Sequence, residues 1–467
     1  MQLFIAIVRF SPVLIFLLTF ISLKWAIALY IFFSFLVPVI SLPILPFSFL
    51  TLVMVLRIVY EIISSGKKPD FRPLIPYAFL MTFQLLMIPF QSSGMPQSLQ
   101  FSSWRIELFT GLFVPVALWW VLSSDKSSPR LITGMICVMI VVTGLYGLFL
   151  TQTVGVNPYI TLVNLIEGRT DFMEEWLSAD DRLFGRSSSM FDHPMRWGFF
   201  LDMALCFLLA VKDNMKKWLF IFLVALVLVN IVVCGVRTSL ATAMVVMAYY
   251  MFRNMSFRTI LYAFISFAIL LVIVYSNDNL LNYVASIFDL SGKKTDVNGS
   301  SLDLRLSQFN AVFSVIRDHE MFGNGYGWVS YYLSVNGNHP VLYAFESLLY
   351  IILCQSGFIG LFLWIIFSVF SLTVPRMVLS NKKKCIVTDC IFIAYIIYCL
   401  LTGDYAFMRM YYVFYVSIIG IYYAEQKNKK EKVLFLLSVI NKKIRRYGME
   451  ASSDSVLSSS VPSVQGK

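Results

Sequence analysis

Long apolar runs separated by short polar connections cover almost the whole chain. A helix that crosses a bilayer needs about 20 apolar residues, and the runs have about that length. They predict an all-α polytopic membrane bundle of about 12–13 spans. The run at 343–374 has the length of one tilted helix or of a broken one. The runs lie at 3–22, 25–41, 44–64, 73–91, 106–123, 131–151, 196–212, 217–235, 238–253, 258–276, 343–374, 386–403 and 407–424.

Lys and Arg collect in every second connection, which sets the orientation, because short cytoplasmic loops are enriched in these residues. The basic connections lie near residues 67–72, 126–130, 212–217, 253–257 and 376–384. The tail from residue 425 carries nine basic and four acidic residues. Its stretch Lys432–Arg446 fits either an interfacial helix on anionic lipid or a solvated tail. All these segments are predicted to be cytoplasmic.

Two long loops remain for the opposite, periplasmic face. Loop 152–195 has a net charge of −4 and loop 277–342 a net charge of −2. Loops of this length are usually functional or disordered, so function is expected on the outer face. The predicted organisation is N-terminal transmembrane helices 1–151, a first long loop 152–195, central transmembrane helices 196–276, a second long loop 277–342, C-terminal transmembrane helices 343–424 and a basic cytoplasmic tail 425–467.

Composition supports the same fold class. Hydrophobic residues make up 58% and charged residues 13% of the 467 residues, with a mean hydropathy of +0.76. Soluble chains have roughly 45–50% hydrophobic and about 25% charged residues. The composition therefore excludes a soluble enzyme, a disordered protein and a disulfide scaffold. The tail carries +5 of the net charge of +11 and much of the remainder lies in the basic connections, so no nucleic-acid partner is expected. The seven cysteines lie outside the long loops and are interpreted as core hydrophobes. Residues 1–22 are expected to be a retained first span.

Two arginines stand out where the chain meets the membrane. Arg186 lies among small polar residues shortly before His193-Pro194, and a guanidinium there suits a phosphate or a sugar acid. A snorkelling arginine followed by a proline-started helix is the alternative. Arg237 occupies a very short outer connection, where an arginine is a functional candidate by default. An arginine that snorkels to the headgroups is the alternative.

The second long loop holds two further groups. Arg305 precedes a stretch, residues 306–316, with apolar residues at helical spacing. A segment with three alternate glycines, residues 322–328, then carries Tyr326 and Trp328. Such glycines can let backbone amides approach an anion. No Lys-Ser/Thr follows, so this is not a Walker loop.

Glu346 lies near the top of an apolar run, after His339. A carboxylate there must be paired, protonated or functional, and a partly desolvated glutamate can act as a general base. A structural ion pair with Arg305 or Arg186 is the alternative. The three histidines are too scattered to indicate a zinc site, so no metal and no cofactor are expected.

These motifs, in this order, resemble the O-antigen polymerase and O-antigen ligase superfamily of bacterial glycan assembly. The resemblance covers roughly residues 180–370, from the Arg186–Pro194 stretch through Arg237 and Arg305 to Glu346 and Gly357-Phe358-Ile359-Gly360. Ligases of the superfamily characteristically carry a His-Asn/Ser pair about a dozen residues before the Gly-x-x-Gly. Here Glu346-Ser347 stands at that position, which is more similar to repeat-unit polymerases of the Wzy type.

The resemblance implies a metal-independent membrane glycosyltransferase in the bacterial cytoplasmic (inner) membrane. It would move a growing glycan from its polyprenyl diphosphate carrier to a new lipid-linked repeat unit at the periplasmic face. Glu346 would be the base and Arg305 a catalytic partner, while Arg186, Arg237 and Arg305 would bind the diphosphate. His193 and His339 are weaker acid–base candidates, and Tyr326 and Trp328 could contact sugars. Membrane lipid and a chain-length regulator protein are the partners that this role allows.

Two alternatives compete with the polymerase. A ligase would transfer finished glycan to lipid A core. A polysaccharide flippase or transporter would show inverted repeats, broken helices and charges spread along the spans. The chain has no evident internal repeat, and its ionisable residues cluster at the outer face, which weighs against transport.

Overall fold

The computed structural model describes residues 2–37, 45–66, 70–91, 94–152, 157–167, 187–254, 302–404 and 406–457. Regular structure in these ranges is helical, with an isolated β-bridge between His339 and Tyr343. The α-helices are α1 Gln2–Ile21, α2 Leu23–Leu36, α3 Phe47–Ser65, α4 Ile75–Met87, α5 Gln97–Glu107, α6 Phe113–Ser124, α7 Ser128–Leu150, α8 Pro158–Glu167, α9 Pro194–Val211, α10 Lys217–Val233, α11 Arg237–Asn254, α12 Leu302–Val315, α13 Trp328–Asn336, α14 Leu348–Val378, α15 Lys382–Thr402 and α16 Phe407–Leu457.

Seven helical segments of the described residues are long and apolar enough to cross a membrane, and three shorter apolar helices accompany them. The seven are Phe47–Ser65, Arg72–Phe90, Gln97–Ser124, Ser128–Leu150, Pro194–Asn214, Leu348–Val378 and Lys382–Thr402. The prediction of an all-α polytopic membrane protein is therefore confirmed. The predicted run at 258–276 lies outside the described residues.

Burial divides the helices into central and peripheral ones. Helix α9 buries sixteen of its eighteen residues, as expected for a largely apolar helix that is surrounded by others. It packs against α10, α11, α15 and α16. Helix α3, in contrast, exposes large apolar side chains such as Leu56 and Tyr60. Such a face is suited to lipid.

The long run predicted at 343–374 is a broken helix. Helix α14 starts at Leu348 and contains Gly357 with φ +61° and ψ −157°, a conformation that only glycine adopts readily. The amides of Phe358 and Ile359, just after the break, donate to the carbonyls of Glu320 (2.9 Å) and Met321 (3.1 Å). The break thus binds the loop that precedes α13 to the middle of a span.

Three of the predicted basic connections, near residues 126–130, 212–217 and 376–384, meet the start of the predicted tail at one end of the bundle. Lys24 pairs with Asp125 at 2.9 Å, Lys126 with Glu431 at 2.5 Å, and Lys384 with Glu425. We call this the basic end; it comprises residues 66, 70–72, 124–130, 212–217, 379–384 and 424–432. The loop end comprises residues 88–91, 94–97, 187–193, 319–347 and 400–404. There the Gln91 side-chain amide donates to the carbonyls of Phe322 (2.6 Å) and Gln355 (3.0 Å).

Candidate active site at the loop end

Arg305 and Glu346, predicted as a catalytic pair, come together although they are far apart in sequence. Arg305 Nη1 donates to the carbonyl oxygen of Glu346 at 2.7 Å, and Nη2 donates to the carbonyl oxygen of Leu401 at 3.2 Å. The hydroxyl of Tyr350 in turn donates to the Arg305 carbonyl at 3.0 Å. The guanidinium therefore ties α12 to the start of α14 and to the end of α15.

The contact leaves the side chain of Glu346 available. Arg305 holds the backbone of Glu346, and within the described ranges the carboxylate makes no hydrogen bond or ion pair. The half-buried Glu346 is followed by Ser347, whose hydroxyl donates to the Leu400 carbonyl at 2.9 Å. Arg305 therefore positions the Glu346 backbone. The two side chains do not form the ion pair that was the alternative prediction.

A tight loop presents Glu346. His339 and Tyr343 exchange two backbone hydrogen bonds of 3.0 and 2.9 Å. Tyr343 (φ +48°) and Phe345 (φ +57°) both lie in the left-handed region, which is costly for such side chains. Backbone strain of this kind persists only where the surroundings hold it, and it is concentrated at functional sites.

His339 helps to hold that loop. Its Nδ1 accepts hydrogen bonds from the amides of Val341 (3.1 Å) and Leu342 (3.0 Å). Burial lowers the pKa of His339 from its ordinary value of 6.5, which favours the neutral ring that these two donors require. The imidazole packs against Tyr332 and Phe345.

His193 is also used as a cap. It precedes α9, and its Nδ1 accepts from the Met195 amide at 3.1 Å. Asp192 and Arg196 form an adjacent ion pair at 2.7 Å. The proline-started helix expected here is therefore present. Arg186 lies outside the described residues.

Arg237 begins α11 at the same end of the bundle. It follows Gly235, which has φ +63°. Two residues later, the Ser239 hydroxyl donates to the Gly198 carbonyl at 3.1 Å, and Tyr398 of α15 donates to the neighbouring Met195 carbonyl at 2.6 Å. Tyr398 lies one helical turn before Leu401, which accepts from Arg305. Helix α15 therefore connects the surroundings of Arg237 and Arg305.

The glycine segment 322–328 is a packing element rather than an open cradle of amides. The amides of Asn324 and Gly325 donate to the carbonyls of Cys354 (2.9 Å) and Gln355 (3.0 Å). The Gly323 amide donates to the His319 carbonyl, and the Tyr326 amide to Gln100 Oε1 at 3.3 Å. A Cβ at Gly323 would lie 2.5 Å from the backbone of Gln355. These four amides already donate to protein acceptors. The prediction that backbone amides of this segment approach an anion is therefore wrong for these four.

The two aromatic candidates differ in their surroundings. Trp328 is 7% exposed and packs against Tyr332 and Phe345 in a small apolar core. Tyr326 lies beside a cluster of charged side chains, and burial, followed by the charge of Glu107, raises its pKa well above the ordinary value. Trp328 thus supports the loop, while Tyr326 adjoins a polar cluster.

That polar cluster was not predicted from the sequence. Arg409 at the start of α16 binds Glu107 at the end of α5 through Nε (2.8 Å) and Nη2 (2.7 Å), and Tyr77 of α4 donates to the other Glu107 oxygen. Glu107 directly precedes a π-helical turn, Leu108–Leu112, a feature that is frequent at functional sites. An ionisable residue inside an apolar run is a functional candidate by default. This rule, applied to the apolar runs, identifies both Glu107 and Arg409.

Asp404 lies three residues after Leu401, whose carbonyl accepts from Arg305. Its Oδ1 accepts from the amides of Phe407 (2.7 Å) and Met408 (3.4 Å), and its Oδ2 accepts from the Tyr395 hydroxyl (2.7 Å). Burial raises the pKa of Asp404, although these hydrogen bonds oppose the shift. The carboxylate thereby caps α16 and fixes the turn next to the Leu401 carbonyl.

A metal site is not evident in the described residues, since no three His, Cys, Asp or Glu side chains there lie close enough to hold an ion. The predicted metal independence stays a prediction.

Comparison with known proteins supports the resemblance drawn from the motifs. Residues 222–365 match the family model Wzy_C, described as O-antigen ligase. No curated protein sequence matches the chain. The matched segment includes Arg237, Arg305, Tyr326, Trp328, His339 and Glu346, so it contains the Arg305–Glu346 contact and leaves out Arg186 and His193. The resemblance to the O-antigen polymerase and ligase superfamily that the motifs predicted is thereby confirmed over residues 222–365.

Proposed function

We propose that this protein is an oligosaccharide repeat-unit polymerase of the bacterial inner membrane. It would transfer the growing glycan from its polyprenyl diphosphate carrier to a new lipid-linked repeat unit at the periplasmic face. The observation that carries the proposal is the Arg305 guanidinium, which holds the Glu346 backbone at 2.7 Å while the Glu346 carboxylate is unengaged among the described residues. The family match covers both residues and supports a reaction of the O-antigen polymerase and ligase class.

The reaction needs a base and a countercharge. Glu346 takes the proton of the acceptor sugar hydroxyl, whose oxygen attacks the anomeric carbon of the growing glycan. The bond from that carbon to the diphosphate oxygen breaks, and its electron pair leaves with the polyprenyl diphosphate. Arg237, Arg305 and Arg186 offset the charge on this leaving group.

The Glu346→Gln variant tests this assignment. The substitution keeps the size of the side chain and removes the base, so we expect glycan polymerisation to fall by about 10²-fold or more. The surface-glycan ladder of a deletion strain complemented with each variant reports the loss, with membrane protein levels measured in parallel. Glu320→Gln is the matched control, because Glu320 is an exposed carboxylate at the same end of the bundle. A normal ladder from Glu346→Gln at normal protein level would remove Glu346 from the chemistry.

The ligase is the second candidate, because the matching family model is described as O-antigen ligase. The two roles differ in the deletion strain. Loss of a polymerase leaves core that carries a single repeat unit. Loss of a ligase leaves core without any repeat, while lipid-linked polymer accumulates.

A further inference from the structure

The basic end contains a groove that the proposed reaction does not use. It has a volume of about 1950 Å³ and is lined by the first turns of α7, α10 and α15 and by the part of α16 beyond the bundle. Six cationic and three acidic side chains line it, which leaves a net charge of +3. The groove therefore attracts anions.

Four of the six cations are available to a ligand. Lys126 and Lys384 pair with Glu431 and Glu425 across the groove. Arg130, Lys216, Lys429 and Lys432 are exposed and make no ion pair or side-chain hydrogen bond within the described ranges. Arg130 belongs to α7, Lys216 directly precedes α10, and Lys429 and Lys432 belong to α16, so the fold, and not a run in the sequence, brings them to one groove.

The same groove is bordered by apolar side chains. Phe435 and Leu436 line it next to Lys432, and every residue from Val433 to Leu437 is at least half exposed. Five consecutive residues point to all sides of a helix. Apolar side chains all round a helix, directly after lysines and continuous with the α16 bundle segment, suit the boundary between headgroups and acyl chains.

We propose that this groove binds an anionic membrane phospholipid. Its phosphate would lie among Arg130, Lys216, Lys429 and Lys432, and its acyl chains would follow Phe435 and Leu436. The adjacency of unpaired cations and exposed apolar side chains favours a lipid over a soluble anion, which has no use for the apolar wall. The site lies at the end of the bundle opposite Glu346, so it is separate from the proposed reaction.

The test compares two quadruple variants of the full-length protein by native mass spectrometry, with phosphatidylglycerol or phosphatidylcholine added to the detergent-solubilised protein. Arg130→Gln, Lys216→Gln, Lys429→Gln and Lys432→Gln remove the groove cations. Lys217→Gln, Lys382→Gln, Lys383→Gln and Lys430→Gln remove the same charge from exposed positions at the same end that do not line the groove. We expect the groove variant to bind phosphatidylglycerol roughly tenfold or more weakly than the wild type, and the control to change by less than about twofold.

Three results would overturn the proposal: equal losses in both variants, equal affinity of the wild type for the two lipids, or displacement of phosphatidylglycerol by inorganic phosphate at similar concentration. Should the groove variant fail to fold, a photoreactive phosphatidylglycerol on the wild-type protein gives the answer. Labels are expected in residues 126–137 and 429–436, and labels confined to other regions would reject the site.

Discussion

Two histidines at the loop end hold the backbone through Nδ1, and this limits the chemistry that each can perform. His193 caps α9 and His339 accepts two amides of the Glu346 loop. A proton transfer at either Nδ1 would break these bonds. Glu346, whose carboxylate is unengaged in the described part of the chain, is under no such constraint. The geometry therefore favours the glutamate as base, with the histidines as positioning residues.

Arg305→Lys is expected to weaken the site while it keeps the charge. The lysine ammonium is a single nitrogen and cannot bridge the carbonyls of Glu346 and Leu401, whereas the arginine reaches them with two separate nitrogens. Each hydrogen bond from a charged donor contributes about 1.5–3 kcal/mol. We expect polymerisation to fall by roughly tenfold or more and the melting temperature of the purified protein to drop.

Arg317→Lys is the control for this substitution. Arg317 is exposed in the same loop region and makes no side-chain hydrogen bond or ion pair within the described ranges. Equal effects of the two substitutions would show that the pair of Arg305 hydrogen bonds has no special role.

The Glu346 loop is expected to loosen in acid. Burial lowers the folded-state pKa of His339 below 6.5, so the unfolded loop binds the proton more readily than the folded one. The stability that this histidine contributes is present above about pH 6.5 and is lost as the pH falls below that value. Hydrogen exchange of the Val341 and Leu342 amides, corrected for intrinsic rates, measures the effect.

His339→Asn supplies the comparison, because an asparagine oxygen can accept from the same amides and does not titrate. Its exchange should be independent of pH over this window. A wild-type loop that shows no acid-dependent opening would contradict the structural role of His339.

At the scale of elements, the break in α14 joins a span to the glycine segment. A Cβ on Gly357 would lie within 2.6 Å of the backbone of Glu320 and Met321. A Cβ on Gly323 would meet the backbone of Gln355 from the other side. These two glycines let a loop and a helix approach to backbone distance. The Glu346 turn sits at the start of the same helix.

Gly357→Ala is therefore expected to destabilise the protein by about 3 kcal/mol or more, because it adds a clash with backbone to a φ/ψ region that alanine avoids. Thermal unfolding in detergent measures the change. Gly134→Ala is the control, since Gly134 lies inside α7 with nothing within 4 Å of an added Cβ, and alanine there should be neutral or stabilising by about 1 kcal/mol. Similar melting temperatures for the two variants would mean that the break is not required.

Helix α16 extends from the last apolar run into the tail. The sequence allowed an interfacial helix or a solvated tail after residue 425, and the structure has one continuous helix from Phe407 to Leu457. Lys126–Glu431 anchors it to the bundle. Charge and hydropathy could indicate the helix, but not that it continues the last apolar run without a break.

For the whole molecule, hydropathy predicted the long apolar helices because a lipid environment requires such segments, but not the short helices Pro158–Glu167 and Trp328–Asn336 within the predicted loops. The connections near residues 126–130, 212–217 and 376–384 meet the start of the tail at one end of the bundle. Side-chain pairing was beyond this reasoning. Glu107 and Arg409 are 302 residues apart, and no local pattern shows that they bind each other. Arg305 was predicted as a site residue. Its hydrogen bonds to backbone carbonyls, however, depend on how α12, α14 and α15 converge, which the sequence does not show.

The most direct measurement uses the purified protein with a single substrate, a polyprenyl-diphosphate-linked repeat unit, and no lipid A core. A polymerase joins these units to one another, so we predict products of two or more repeats on the carrier, together with released polyprenyl diphosphate. The wild type should form them and Glu346→Gln should not. Absence of any elongated product from the wild type until core acceptor is added, followed by transfer to that acceptor, would contradict the polymerase and establish the ligase.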